Sequence, residues 1–272
     1  MREINITDQE FLQLVEYMHT HYGINLSQKK KLIVGRLQNY LVRSNYSSFS
    51  DFYDFVISDQ TGEAITVLLN KLTTNHTYFM REKEHFKFFQ DTVVPNIFLT
   101  EKKKDMRIWS AGCSSGEEPY TIAMILDDCF SKEKEGWDTK VLATDISERV
   151  LGIASEGKYL TESLDVLPND WKRKYFKQTD DSYSQITERL RNEIIYRKFN
   201  LMEARFPFRN KFHIIWCRNV MIYFDAQTRK KLIEKFYDMT EPGGYLFIGH
   251  SESVARNDTK YKYIMPAIYR KE

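Results

Sequence analysis

The chain has little cysteine: Cys113, Cys129 and Cys217 are its three, widely spaced and without a CxxC pair. That odd set argues against a disulfide framework and against a cysteine-based zinc site, and it fits a reducing compartment. Neither sign of charge is in excess, with 40 basic residues against 38 acidic for a net charge of +2. A nucleic-acid binder would carry a strong basic surplus, so no nucleic acid is expected as a partner. No run approaches 18 uninterrupted apolar residues, and the opening MREINITDQEF has no apolar signal region. Membrane insertion is therefore not expected, and the reading is a cytoplasmic protein. Internal repeats and low-complexity tracts are also lacking, and no metal site is expected.

What is present is core material. Hydrophobic residues make up 42% of 272 and aromatic residues 14%, enough for one large core or two modest ones. The first hundred residues read as helical throughout. Thr7 and Glu10 have capping-box spacing, and Phe11, Leu14, Val15 and Met18 follow at helical period. Gly23 is placed to end that helix. Ser27 is expected to cap a second, with Ile33, Val34, Leu37 and Leu41 on its apolar face. Ser50 or the serines before it start a third through Phe55 and Val56, and a fourth runs through Ala64, Val67, Leu68 and Leu72. A fifth, Glu82 to Phe98, is expected to break near Pro95.

The pattern changes after residue 100. A short strand, Arg107–Ser110, runs into the small-residue loop AGCSSG, and Glu117-Glu118-Pro119 opens a helix. Strand-like runs follow at Val141–Thr144, His213–Cys217 and Tyr245–Gly249, separated by helical stretches, which is the alternation of a largely parallel sheet. Residues 160–200 break it and read as short antiparallel strands inserted in this α/β fold. The boundaries expected are a helical domain over 1–85, a linker helix over 86–106 and the α/β domain over 107–272, with its β-subdomain at about 160–198.

Small residues in the AGCSSG loop let backbone approach a ligand, but the loop is neither GxGxxG nor a P-loop, so phosphate cradling is not its evident role. Glu118 fits either a pocket acid meeting an amino group or a solvated first-turn acid. Asp145, at the carboxyl end of the next strand, fits a ribose-hydroxyl acceptor or a helix cap equally well. The buried run HIIWC delivers Arg218-Asn219 to the same sheet edge, where open α/β folds bind ligands.

Six segments, 72-LTTNHTYFMRE-82, 109-WSAGCSSGEEPYTIA-123, 143-ATDIS-147, 199-FNL-201, 216-WCRNVMIYFD-225 and 243-GGYLFIGHSES-253, in this order and spacing, resemble the CheR family of chemotaxis protein methyltransferases. The resemblance covers nearly the whole chain. It implies a Rossmann-like S-adenosylmethionine-dependent methyltransferase domain with an antiparallel β-subdomain, preceded by an all-helical domain. S-adenosylmethionine would be the cofactor and S-adenosylhomocysteine the product, and the reaction would be methyl esterification of glutamates on the cytoplasmic helical region of chemotaxis receptors.

By the family pattern, Asn75, Thr77, Arg81, Glu118, Asp145, Asn200, Leu201, Arg218 and Asn219 would bind the cofactor. Asn200 and Leu201 would flank the adenine, and Arg81 and Tyr223 would face the methyl group. Two rival readings keep the site but change what it does. One is a methyltransferase for another acceptor, and the other is a non-catalytic cofactor-binding adaptor.

Lys29, Arg36 and Arg43 fall on one stripe of the second helix, which fits an ordinary solvated face or a docking surface for an acidic receptor helix. Some family members hold a receptor C-terminal pentapeptide through a glycine-containing loop of the β-subdomain. The corresponding loop, 177-KQTDDSYSQ-185, has no glycine, so independence of the pentapeptide is expected.

Overall fold

The computed structural model describes residues 4–73, 76–130, 136–255 and 258–272, whose contacts fall into two compact units. One unit holds the chain up to residue 75 together with Asn200–Met202 and Tyr223–Arg229, and the other holds the remainder.

The first unit is built on helices α1 (Asp8–Tyr22), α2 (Lys30–Arg43), α3 (Phe49–Ser58) and α4 (Glu63–Leu72). The Thr7/Glu10 capping box forms in both directions, and Gly23 ends α1 in the left-handed conformation at φ 69°. Ser48 caps α3 by accepting the Asp51 N–H. Ser27 does not cap α2: Lys29 holds the cap position, while the Ser27 hydroxyl donates to Asn25 Oδ1 at 2.7 Å. A short polar side chain two residues after another finds its partner locally, in a turn, before the helix begins. Ile33, Leu37 and Leu41 of α2 and Leu68, Leu69 and Leu72 of α4 are buried in this unit.

The second unit opens with α5 (Lys83–Phe88), a π-turn over Phe89–Val93 and α6 (Val94–Thr100). The break expected at Pro95 thus lies one turn earlier. A proline at the second position of α6 gives no N–H to the preceding turn, and the wider π register absorbs that loss upstream.

Strands β1 (Ile108–Ala111), β2 (Val141–Asp145), β6 (Ile194–Lys198), β7 (Phe212–Cys217) and β8 (Thr240–Ile248) pair in parallel in the order β6-β2-β1-β7-β8. The antiparallel strands β10 (Ile268–Arg270) and β9 (Lys262–Met265) complete seven. Helices α7 (Glu117–Cys129), α8 (Glu148–Glu156) and α11 (Ala226–Met239) lie in the connections. Every residue of β1 and β7 is buried, as central strands covered on both faces must be.

The insertion is a separate sheet of β3 (Lys158–Leu160), β5 (Tyr183–Ile186) and β4 (Phe176–Gln178), all antiparallel, with helix α9 (Asn169–Tyr175) between β3 and β4 and the short α10 (Glu188–Arg191) leading out of it. Ile194–Lys198, expected among these antiparallel strands, instead pairs in parallel with β2 as an edge of the main sheet. An edge strand alternates buried and exposed residues like a meander strand, so its pattern does not reveal its partner.

Candidate active site

The site begins at the turn after β1. The N–H groups of Gly112 and Cys113 both donate to the Thr144 carbonyl of β2, at 2.8 and 2.9 Å, which pulls the loop across the sheet edge. Gly112 has φ 93°, and a Cβ there would stand 2.4 Å from Val220 Cγ2, so the loop after β1 and the loop after β7 touch because no side chain separates them.

Asp145, the last residue of β2, accepts the Ser114 N–H at 2.9 Å and the Ser147 N–H at 3.0 Å. The cap of α8 is Ser147 itself, whose side chain accepts the Val150 N–H. Asp145 is therefore not that cap, and the alternative left open by its position narrows to an acceptor at the strand edge. Burial raises its carboxyl above the usual range, against the opposing pull of the backbone N–H groups.

Glu118 stands in the first turn of α7. Its Oε1 accepts the Ser110 hydroxyl at 2.7 Å and its Oε2 lies 3.3 Å from Arg218 Nη1. Burial again raises the carboxyl despite the arginine.

Arg218 ties the site together. Its side chain is only 2% exposed, and the guanidinium lies over the rings of Phe86 and Trp216, at 5.2 and 5.5 Å from their centroids. Besides Glu118 it meets Glu82 Oε2 at 3.3 Å and donates to the Arg81 carbonyl. Arg81 itself donates from Nη1 to the His76 carbonyl at 2.6 Å and lies over the Tyr78 ring. Thr77 is half-buried in the same segment, and Asn75 lies outside the described residues.

Of the residues read from the sequence, Arg81, Glu118, Arg218 and Asn219 thus converge, and Asp145 joins the loop beside them. Asn200, Leu201 and Tyr223 belong to the helical unit. The Asn200 amide donates to the His21 carbonyl at 2.8 Å, while its Oδ1 accepts the Met202 N–H at 3.0 Å. The side chain is occupied in shaping its own loop. The Tyr223 carbonyl accepts the Asn25 N–H at 2.8 Å, Ile24 bridges Phe224, and His19 Nε2 sits 2.5 Å from Asp225 Oδ2. The end of α1 therefore holds both segments.

Sequence reasoning missed four polar residues. Glu82, His85 and His250 bring their potential ligand atoms within 4.8 Å of one another. Arg218 already supplies the cation opposite the Glu82 carboxylate. Burial, reinforced by that guanidinium, pushes His85 down to about 4, so the imidazole is neutral. The fourth is Glu252, a buried carboxylate that accepts backbone N–H groups of Asn219, Ile222 and Gly249. No periodicity marks these residues, although Glu82, His250 and Glu252 fall inside segments that carry the family resemblance.

Residues 75–269 match the family model described as "CheR methyltransferase, SAM binding domain", and residues 9–73 match "CheR methyltransferase, all-alpha domain". The chain belongs to the CheR methyltransferase family. It is 43% identical over 272 residues to the "Chemotaxis protein methyltransferase" of Borreliella burgdorferi, covering 98% of this chain and 96% of that one. It is 34% identical to "Chemotaxis protein methyltransferase 2" of Vibrio cholerae (94% and 89% covered) and 30% to the Escherichia coli protein (97% and 91%).

This CheR chain is an S-adenosylmethionine-dependent methyltransferase, and its own donor set fits that cofactor. The cofactor has an ammonium group and two ribose hydroxyls, all donors. Glu118 in the first turn of α7 and Asp145 at the end of β2 are carboxylates, each with acceptor positions for about four hydrogens, only part of them taken by the protein, which suits such donors.

Proposed function

We propose that this CheR-family chain methylates glutamate side chains on the cytoplasmic helical region of chemotaxis receptors. The observation that carries the reading is the convergence of Arg81, Glu118 and Arg218 at the edge of a sheet in a chain related over nearly its whole length to chemotaxis methyltransferases. Glu118 would hold the ammonium group and Asp145 the ribose hydroxyls. Asn200 would act by shaping the loop that offers Leu201 to the adenine. When bound, S-adenosylmethionine supplies a methyl group activated by a sulfonium.

The incoming glutamate needs no base. Its ordinary pKa is about 4.3, so it arrives ionised, and the ~10²–10⁴-fold that a general base contributes elsewhere has no proton to act on. Alignment of well-oriented reactants is worth as much as ~7–11 kcal/mol. Arg81 would steer the carboxylate and Tyr223 would orient it against the methyl group. A tight bidentate grip would stabilise the ground state as well, so a single guanidinium partly engaged with the His76 carbonyl suits this role.

Docking falls to the helical unit. Lys29 and Arg43 are exposed, whereas Arg36 is half-buried and donates to the carbonyls of Lys71 and Thr73 at 3.2 and 3.1 Å. A concavity of about 420 Å³ beside Lys29, lined also by Phe11, Lys31 and Leu32, offers apolar and basic contacts together, as an amphipathic acidic helix requires. No helix of the described residues is long and apolar enough to cross a membrane.

The β4–β5 turn is closed by Asp180, whose Oδ1 accepts the N–H groups of Ser182 and Tyr183, and Lys158 pairs with its other oxygen at 3.2 Å. That side-chain closure supports independence of a receptor pentapeptide: calorimetry with such a peptide should give no heat, and micromolar binding would refute it.

The reading is tested by incubating the protein with methyl-labelled S-adenosylmethionine and receptor-containing membranes. Label should enter the receptor and leave as methanol in mild base. Base-stable label would assign another acceptor, and no transfer despite cofactor binding would assign an adaptor.

A further inference from the structure

We propose that Glu82 and Glu252 are positioning residues that clamp the Arg218-Asn219 turn from two sides, so that cofactor affinity depends on carboxylates acting through that turn. The proposal rests on the cofactor site described above. The turn needs holding, because Asn219 has φ 60°, in the left-handed region. Non-glycine residues persist there where the surroundings over-determine them.

Glu252 grips the backbone. Its Oε2 accepts the Asn219 N–H at 2.9 Å and the Gly249 N–H at 2.5 Å, and its Oε1 accepts the Ile222 N–H at 3.1 Å. N–H groups of two loops, the one after β7 and the one after β8, thus turn to one carboxylate of the protein.

Glu82 grips the side chains. Its Oε2 lies 3.3 Å from Arg218 Nη2, and its Oε1 faces the Asn219 amide nitrogen at 3.4 Å and accepts the His250 N–H at 3.2 Å. Burial pushes the Glu82 carboxyl up, yet the Arg218 guanidinium and the His250 N–H carry it below its ordinary value. It is therefore the ionised partner. Both carboxylates also bind the loop after β8, so the ends of β7 and β8 are fixed to each other through them.

Glu82→Gln keeps the shape and removes the charge opposite Arg218. Glu252→Gln turns an amide NH₂ toward backbone donors. Calorimetry with S-adenosylhomocysteine should show at least tenfold weaker binding for both variants, and partial recovery in Glu82→Asp. In turnover, the KM for S-adenosylmethionine should rise tenfold while kcat at saturating cofactor stays within threefold of wild type. Leu190→Ala, a core truncation in α10 with a comparable loss of Tm, should bind normally. Should Glu252→Gln fail to fold, the Glu82→Gln and Glu82→Asp pair decides alone. Binding within twofold of wild type in a folded Glu82→Gln protein overturns the clamp. Failure of the wild-type protein to bind S-adenosylhomocysteine overturns the cofactor site instead.

Discussion

Two glycine-to-alanine substitutions should have opposite signs. Gly23 ends α1 at φ 69°, and a Cβ there would lie 2.5 Å from Met202 Sδ and 3.0 Å from Thr228 Cγ2. The left-handed backbone costs an L-residue about 1–2 kcal/mol, and pushing two side chains aside adds roughly 1 kcal/mol at the low end of overpacking. The stiffer unfolded chain returns about 0.4–1 kcal/mol. Gly23→Ala should therefore destabilise by ~2 kcal/mol. Gly152 lies inside α8 with nothing within 4 Å of its added Cβ, so Gly152→Ala should stabilise by ~0.8–1 kcal/mol.

At about 2–4 °C per kcal/mol, calorimetry should show Tm falling by ~4–8 °C in the first variant and rising by ~2–4 °C in the second. A Gly23→Ala protein as stable as wild type would refute the reasoning.

Asp127→Asn should destabilise by about 2 kcal/mol at pH 7, since its carboxylate takes two bonds from Arg189, one from Lys174 and one from Tyr175. Although burial alone would raise it, these donors depress its pKa. The contribution is therefore present above the ordinary carboxylate value of ~3.9 and lost below it, so urea titrations should show the gap to wild type closing as pH falls past 4. Reversing charge at Lys29 and Arg43 together should raise the KM for receptor several-fold at low salt and leave the cofactor Kd unchanged; an unchanged KM discards the docking face. The rise in Tm on adding S-adenosylhomocysteine should be larger at pH 7 than at pH 5, and an equal rise would remove Glu118 and Asp145 as its cause.

Local signals are legible in the sequence and long-range ones are not. The α1 capping box and its glycine stop can be read because each closes within a few residues. So can the strand edges bearing Glu118, Asp145 and Arg218, which the alternation of strands and helices places together. The Ser27 cap fails because Asn25, two residues back, competes for the hydroxyl. β6 reads as part of the wrong sheet because alternation reports which face is buried and not which strand lies alongside. The grip of Glu82 on Arg218 spans 136 residues of sequence and belongs to tertiary packing alone. The Asn200 amide can be placed near the adenine by family pattern, but its engagement with the end of α1 emerges only once the chain is folded.

The buried carboxylates do not all shift one way. Asp127 and Asp225, paired with cations or hydrogen-bonded for structure, are held below their ordinary range. Glu118 and Asp145 are raised, and burial is the leading cause in both. A carboxyl whose folded pKa is raised favours the fold while protonated; that contribution is complete below the unfolded value and disappears as pH rises through the folded one. Once ionised, the two carboxylates of the ligand-free site oppose folding, a cost the sheet edge tolerates because neighbouring backbone N–H groups and Arg218 limit it. An ammonium group and ribose hydroxyls bind the ionised carboxylates better than the protonated ones, so ligand removes most of that cost at neutral pH and finds less of it to remove in acid. On the proposed reading, the same two residues make the free protein less stable once they ionise and give a cationic nucleoside its partners.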